Sequence, residues 1–392
     1  MANKFPFGAW VYHPINEIAV DEVDLWADMG LTCTMAPSIS MHNEAEIEKL
    51  SQFLDKAASR DIKLILNVSG IGRSGDYEKD FTEIYNRFKG HPALFGFVIG
   101  DEPATKQLAD HFIKIMSIQK KVAPELNPYI NLAGSSPTIP ALLDGKTYSE
   151  WLADFKERSS CDLVCFDEYC QTINDGGVTL YYKTLKAQSD AALASGMDLW
   201  VTLLSSAHYA YRPCTEFQFT WQITMSAAFG CKGVIWFRLY DREISPNYHA
   251  SPLDEYHEPT PTYHMLRRCH KRFNDQFGEI LPTLKRKKSY IIGFQRGDWP
   301  VFSDDIHYCI KAVRSFEDAV ISFFEDDDGN DYVCFVNAEM AQIGHYKFVV
   351  DNNYKLTELI CNGTIQQPAD FAEHDGILLN PGQMVLYRID KK

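Results

Sequence analysis

An apolar run, Ala93-Leu94-Phe95-Gly96-Phe97-Val98-Ile99-Gly100, ends in two adjacent carboxylic acids, Asp101 and Glu102, and Pro103 then stops it. Acids at the carboxyl end of a buried strand cost free energy unless they are paired, solvated or in use. The run has no polar alternation, so it reads as a strand covered on both faces, as in a parallel sheet. Parallel sheets and barrels carry their chemistry at the carboxyl ends of such strands. A second run, Asp162-Leu163-Val164-Cys165-Phe166, ends in Asp167, Glu168 and Tyr169. Carboxyl groups from two strands suit cleavage of a glycosidic bond. One protonates the leaving oxygen, and the other attacks the anomeric carbon or activates water. Strand alternation turns Val164 and Phe166 outward and Cys165, Asp167 and Tyr169 inward, with Glu168 at the rim. A loop beginning at Asp167 would void that parity, so both acids stay candidates. The competing reading of Asp101 and Glu102 is structural: acids suit the start of the helix expected near Thr105.

Other strand ends supply groups that suit a sugar. Strand one offers Trp10, Tyr12 and His13. Asn67 ends strand three, and Asn131 lies in strand five. Strand seven leads into His208 and Tyr209, and strand eight carries Trp236, Arg238 and Tyr240, then Asp241. Each alone has an ordinary structural explanation. Their convergence on one rim makes them candidates. A metal-dependent hydrolase would need several histidines at strand ends, and only His13 and His208 stand there, so neither metal nor cofactor is expected.

Eight strands are expected: Phe5–Tyr12, Leu31–Pro37, Ile62–Val68, Ala93–Gly100, Tyr129–Ala133, Asp162–Tyr169, Leu199–Leu204 and Gly233–Tyr240. Helical periodicity fills the intervals, as with Ile47, Leu50, Leu54 and Ala57. Eight such pairs predict an α/β fold, a (β/α)8 TIM barrel. The alternative, an open doubly wound sheet, lacks a glycine-rich loop after its first strand. Beyond Pro282 the periodicity turns to short β runs with turn residues between them. The expected division is a catalytic barrel over 1–282 and a small antiparallel β-sandwich domain over 283–392.

The chain has 392 residues, 45% hydrophobic, with a net charge of −15. Its one basic cluster, Lys285-Arg286-Lys287-Lys288, is too short to track phosphates, so no nucleic-acid partner is expected. No stretch of about 18 apolar residues suggests a membrane span. Ten cysteines form no CxxC pair, and several sit inside apolar runs. Buried free thiols and a cytoplasmic location are expected, although loss of a signal peptide would leave the same sequence.

The sequence resembles (β/α)8-barrel glycoside hydrolases, most closely bacterial glycosidase-like proteins with a trailing β-sandwich. The resemblance rests on Gly100-Asp101-Glu102-Pro103, Asp167-Glu168-Tyr169-Cys170, and Ala228-Phe229-Gly230-Cys231-Lys232-Gly233 before Val234-Ile235-Trp236-Phe237. Asp-Glu-Pro is similar to the Asn-Glu-Pro of the large retaining barrel clan, which implies an acid/base role for Glu102. That clan's nucleophile, a Glu ending strand seven, has no counterpart in Val201–Ala207. Asp167 or Glu168 is then the expected second carboxylate. The Asp101-Glu102 pair also resembles that of some hexosaminidases, in which Asp orients the substrate's acetamido group. A barrel that binds carbohydrate without cutting it is the non-enzymatic competitor.

Overall fold

The computed structural model describes residues 4–174, 176–242, 248–359, 365–366 and 376–392. Eight parallel strands form the first layer: β1 (Phe7–Ala9), β2 (Cys33–Met35), β3 (Lys63–Leu66), β4 (Leu94–Asp101), β5 (Tyr129–Ala133), β6 (Leu163–Asp167), β7 (Asp198–Leu204) and β8 (Cys231–Phe237). They lie in the order β1-β8-β7-β6-β5-β4-β3-β2. Helices α1 (Val23–Asp28), α2 (Glu44–Ser59), α3 (Tyr77–Phe88), α4 (Lys106–Val122), α5 (Tyr148–Ser159), α6 (Gly176–Ser195), α7 (Glu216–Ala228) and α8 (Pro261–Phe277) follow the strands in turn. This is a (β/α)8 barrel.

The seam between β1 and β2 is closed by a backbone bond from the Thr32 N–H to the Phe7 carbonyl at 2.8 Å and by a side chain. The Ala9 N–H donates to Thr34 Oγ1 at 2.9 Å, and that hydroxyl donates to the Ala9 carbonyl at 3.1 Å. Gly8 permits the approach, since a Cβ there would stand 2.0 Å from the Cys33 carbonyl oxygen. Inside the barrel Met35, Ile65, Tyr129, Cys165, Trp200 and Ile235 pack together. A larger core fills the space between strands and helices.

Polar caps fix where the helices start. Thr105 caps α4 by accepting from the Leu108 N–H, and Thr147 and Thr215 form capping boxes at α5 and α7. The helix after β4 therefore takes its cap from Thr105 rather than from Asp101 or Glu102.

After α8 the chain becomes antiparallel. Strands β9 (Lys285–Ile292), β10 (Ile310–Arg314), β11 (Ala319–Glu325), β12 (Asp331–Asn337), β13 (Gly344–Val350), β14 (Tyr354–Leu359), β15 (Ile365–Gln366), β16 (Ile377–Leu379) and β17 (Met384–Lys391) build two sheets. One runs β9-β11-β12-β17-β14-β15 and the other β10-β13-β16. Their facing sides share a core that includes Ile321, Phe335 and Tyr387 from the first and Ile310, Tyr346 and Phe348 from the second. The other side of the first sheet packs on the barrel's helices. Trp299 donates to the Tyr182 carbonyl at 2.9 Å, and Trp221 donates to the Ala338 carbonyl at 2.8 Å.

Nine cysteines are free and buried; Cys361 lies outside the described residues. Among those residues no helix is long and apolar enough to cross a membrane.

Candidate active site

A cavity of about 190 Å³ opens at the carboxyl ends of the strands. Trp10 and Tyr12 line it from the segment after β1. Asp101 and Glu102 enter from the end of β4, Asn131 from β5, Asp167 and Tyr169 from the end of β6, His208 from the loop after β7, and Phe237 from the end of β8.

Three carboxyl groups thus share one small space. Glu102 sits at φ 41°, in the left-handed region that a residue with a Cβ avoids. Such a conformation costs on the order of 1–3 kcal/mol and persists where the surroundings impose it. Here the Glu102 N–H donates to the Asn131 carbonyl at 2.8 Å, which holds the turn. Asp101 accepts a hydrogen bond from Asn131 Nδ2 at 2.9 Å. Its pKa is raised by desolvation first and by the Glu102 charge as well, against that hydrogen bond.

Asp167 is the most perturbed of the three. Its pKa is pushed well above the usual carboxylate range by burial first, then by the charge of Glu102 and a hydrogen bond with it, and then by Asp101 and Glu168. Neighbouring carboxyl groups disfavour both being ionised, which is the direction of the shift. Asp167 Oδ1 is sealed from solvent and has no partner among the described residues.

The remaining walls are aromatic. Trp10 stacks on Tyr12 with centroids 5.5 Å apart, and Phe237 meets Tyr12 edge-on at 5.7 Å. Tyr169 packs against Phe237 at 5.9 Å. His208 stacks on Tyr248 at 4.9 Å, and burial lowers its pKa, which favours the neutral ring.

The other expected site residues stand elsewhere. Glu168 turns back toward the helix layer and accepts from the Thr184 hydroxyl at 2.8 Å. Trp236 is fully buried on the outer face of β8 and donates to His270 Nε2 on α8. It faces away from the cavity because side chains alternate along a strand, and Ile235 and Phe237 take the inner face. Alternation therefore marks Phe237 on strand eight as it marks Asp167 on strand six. Arg238 is buried behind the wall. Its Nε donates to the Tyr240 carbonyl at 2.7 Å, and its guanidinium lies 4.9 Å from the Tyr12 ring and 5.4 Å from that of Tyr248. Burial lowers its pKa to about 10. Asp241 is spent on a loop, accepting from the Ser251 N–H at 2.9 Å. His13 packs edge-on against Tyr240 and His257 outside the cavity. Asn67 uses its carbonyl on the Ile39 N–H and does not line the cavity. Tyr209 is 73% exposed and also outside it. Among the described residues no group of three or more His, Cys, Asp or Glu is placed to hold a metal ion.

No family model matches the sequence. No curated protein matches it either. Solved structures do match its shape. A family 42 β-galactosidase from G. stearothermophilus is similar over 100% of this chain and 99% of its own, with a TM-score of 0.66 at 8% identity. A family 39 glycoside hydrolase from Bacteroides cellulosilyticus WH2 is similar over 99% of this chain and 81% of its own, with a TM-score of 0.55 at 11% identity. An endo-β-1,4-glucanase from Xanthomonas axonopodis pv. citri covers 70% of this chain and 100% of its own, with a TM-score of 0.50 at 11% identity. At such identities the likeness establishes the fold alone: the chain shares the (β/α)8 barrel architecture of these structures.

Proposed function

We propose that this protein is a glycosidase whose Glu102 and Asp167 cleave a glycosidic bond at the mouth of the barrel. The observation that carries this reading is the convergence of Glu102 and Asp167 on one small cavity. The cavity is walled by Trp10, Tyr12, Tyr169 and Phe237, and burial with the neighbouring acids raises the pKa of Asp167 in it. The reaction needs a protonated acid and an ionised partner, and two close carboxyl groups disfavour both being ionised at once. Aromatic faces suit the C–H faces of a pyranose ring.

Glu102 is the general acid/base in this account. It donates a proton to the leaving oxygen and later takes one from water. Asp167 is the second carboxylate, supplied by β6 where the retaining barrel clan would supply a Glu from β7. As a retaining pair the two groups would work at a separation of about 5–5.5 Å, against roughly 6.5–9.5 Å for an inverting pair. Asp167 then attacks the anomeric carbon once its proton has passed to Glu102.

Hydrolysis of a panel of aryl glycosides tests the reading. Release of the aryl alcohol by the wild-type protein is the expected result. A rise in melting temperature with sugars and no release on any member would mean a carbohydrate-binding barrel instead.

A further inference from the structure

The two-carboxylate reaction needs a proton on one particular acid, and three acids of the cavity compete for it. We propose that Thr202 is a positioning residue of this reaction: its hydroxyl holds the Asn131 amide with the N–H side toward Asp101, which keeps Asp101 ionised and leaves the proton to the reacting pair. This role rests on the glycosidase reading and adds to it a residue whose side chain meets neither the substrate nor an acid.

Three neighbouring strands supply the contacts: Asn131 from β5, Cys165 from β6 and Thr202 from β7. Thr202 Oγ1 donates to Asn131 Oδ1 at 3.0 Å, and Asn131 Nδ2 donates to Asp101 Oδ1 at 2.9 Å. Cys165 Sγ lies 3.4 Å from Thr202 Oγ1. The one hydroxyl hydrogen is spent on Asn131, so the thiol is the donor in that contact. An amide has two orientations. Its N–H side supports a carboxylate, whereas its oxygen would suit only a protonated carboxyl. The Thr202 hydroxyl selects the first by occupying that oxygen. Cys165 and Thr202 are fully buried, and Thr202 does not line the cavity. Thr202 also stands between the turns that carry the reacting acids. The Asn131 carbonyl accepts from the Glu102 N–H at 2.8 Å, and the Thr202 carbonyl accepts from the N–H of Glu168, next to Asp167, at 3.3 Å.

Burial raises the pKa of Asp101, the Asn131 hydrogen bond opposes that rise, and the Glu102 charge adds to it. Tyr12 from the segment after β1, Tyr129 from β5, and Cys165 and Tyr169 from β6 also feel the Asp101 charge. Burial displaces all four upward, so they stay neutral while the acids titrate. His208 is held toward its neutral form, and Arg238, behind the Tyr12 ring, stays cationic. Among the described residues this leaves Asp101, Glu102 and Asp167 to titrate as one group. A proton on Asp101 is unproductive twice over. It is not on the acid that meets the leaving oxygen, and it removes a negative charge from beside the cation that forms on the sugar.

The test is the pH profile of kcat/KM for Thr202→Val and Thr202→Ser on an aryl glycoside that the wild type cuts. Without the hydroxyl, Asp101 takes up its proton earlier as pH falls. The acidic limb of Thr202→Val should therefore move upward by about one pH unit, the scale of one hydrogen bond to a charged group. Thr202→Ser keeps the hydroxyl and should restore the wild-type limb. A merely structural role would lower the profile without moving it. An unmoved limb in Thr202→Val, or a limb displaced equally in Thr202→Ser, would overturn the assignment. NMR titration of aspartate labelled at its carboxyl carbon reads the same shift without turnover, the Asp101 signal being the one that Asp101→Asn removes. If no glycoside is cut but that signal titrates at higher pH in Thr202→Val, the glycosidase reading fails and the positioning role stands. If the signal titrates as in the wild type, the role of Thr202 falls whether or not the protein turns over a glycoside. Thr202→Ala takes the place of Thr202→Val in both measurements should the valine variant not fold.

Discussion

Asp167 is expensive to keep. Burial and the neighbouring acids raise its pKa, so between the ordinary aspartate range and the raised value the folded protein holds a proton that the unfolded chain releases. The folded state therefore binds more protons than the unfolded one, and stability contributed at this site falls as pH rises above the ordinary aspartate range. Asn has a similar shape and no ionisation to suppress. Asp167→Asn is thus expected to raise the melting temperature at pH 7 while lowering kcat by ~10²-fold or more. Scanning calorimetry beside steady-state kinetics checks both signs at once. Added azide should restore part of the turnover and give a glycosyl azide of inverted configuration, because the small anion replaces the missing nucleophile. Parallel loss of activity and stability would make Asp167 a structural acid.

At the scale of elements, Trp236 and His270 tie the last barrel strand to the last barrel helix. His270 accepts from the Trp236 indole at 2.8 Å, and its other nitrogen faces the Met29 carbonyl at 2.9 Å. Burial lowers its pKa from 6.5 to about 4. The unfolded chain takes up this proton as pH falls below about 6.5 and the folded chain does not. The unfolded state then binds more protons, so stability falls between pH 6.5 and 4, by on the order of 3 kcal/mol. The melting temperature should drop across that window in the wild type and drop less in His270→Gln, which keeps an acceptor without the titration. Equal slopes would refute the link. The same pair shows where sequence reasoning stops. Apolar runs located the strands, because a strand buried on both faces leaves a continuous hydrophobic signature. Trp236 read as a wall of the cavity because its type suits sugar, whereas its position on the strand assigns it to the helix layer. Glu168 and Arg238 were visible as charges, but their partners, Thr184 and the rings of Tyr12 and Tyr248, come from other segments that the strand pattern does not point to. The role of Thr202 carried no local signal, since a threonine inside a strand looks like any other.

At the scale of the whole molecule, the six-stranded sheet covers the barrel face formed by α6 and α7. Trp299 is the anchor of that contact. It is 1% exposed, stacks on Phe229 at 4.0 Å, and bonds to the Tyr182 carbonyl. It lies on the outer layer, away from the cavity. Trp299→Ala is expected to cost about 3–5 kcal/mol in denaturant unfolding and to leave kcat within about two-fold. A large kcat loss in the folded variant would show that the sandwich acts on the site. The change from helical to β periodicity was plain in the sequence near Pro282. The covering of α6 and α7 was less so, because a helix apolar on two faces does not say what covers the second one.

The central claim is that Glu102 transfers the proton that releases the leaving group. The most direct measurement compares wild type and Glu102→Gln on two aryl glycosides of the same sugar, one with a poor leaving group and one with an activated one. The account predicts a loss of at least ~10²-fold on the poor leaving group and a much smaller loss on the activated one, since the latter departs without a proton. Near-normal turnover of both by a folded variant would contradict it.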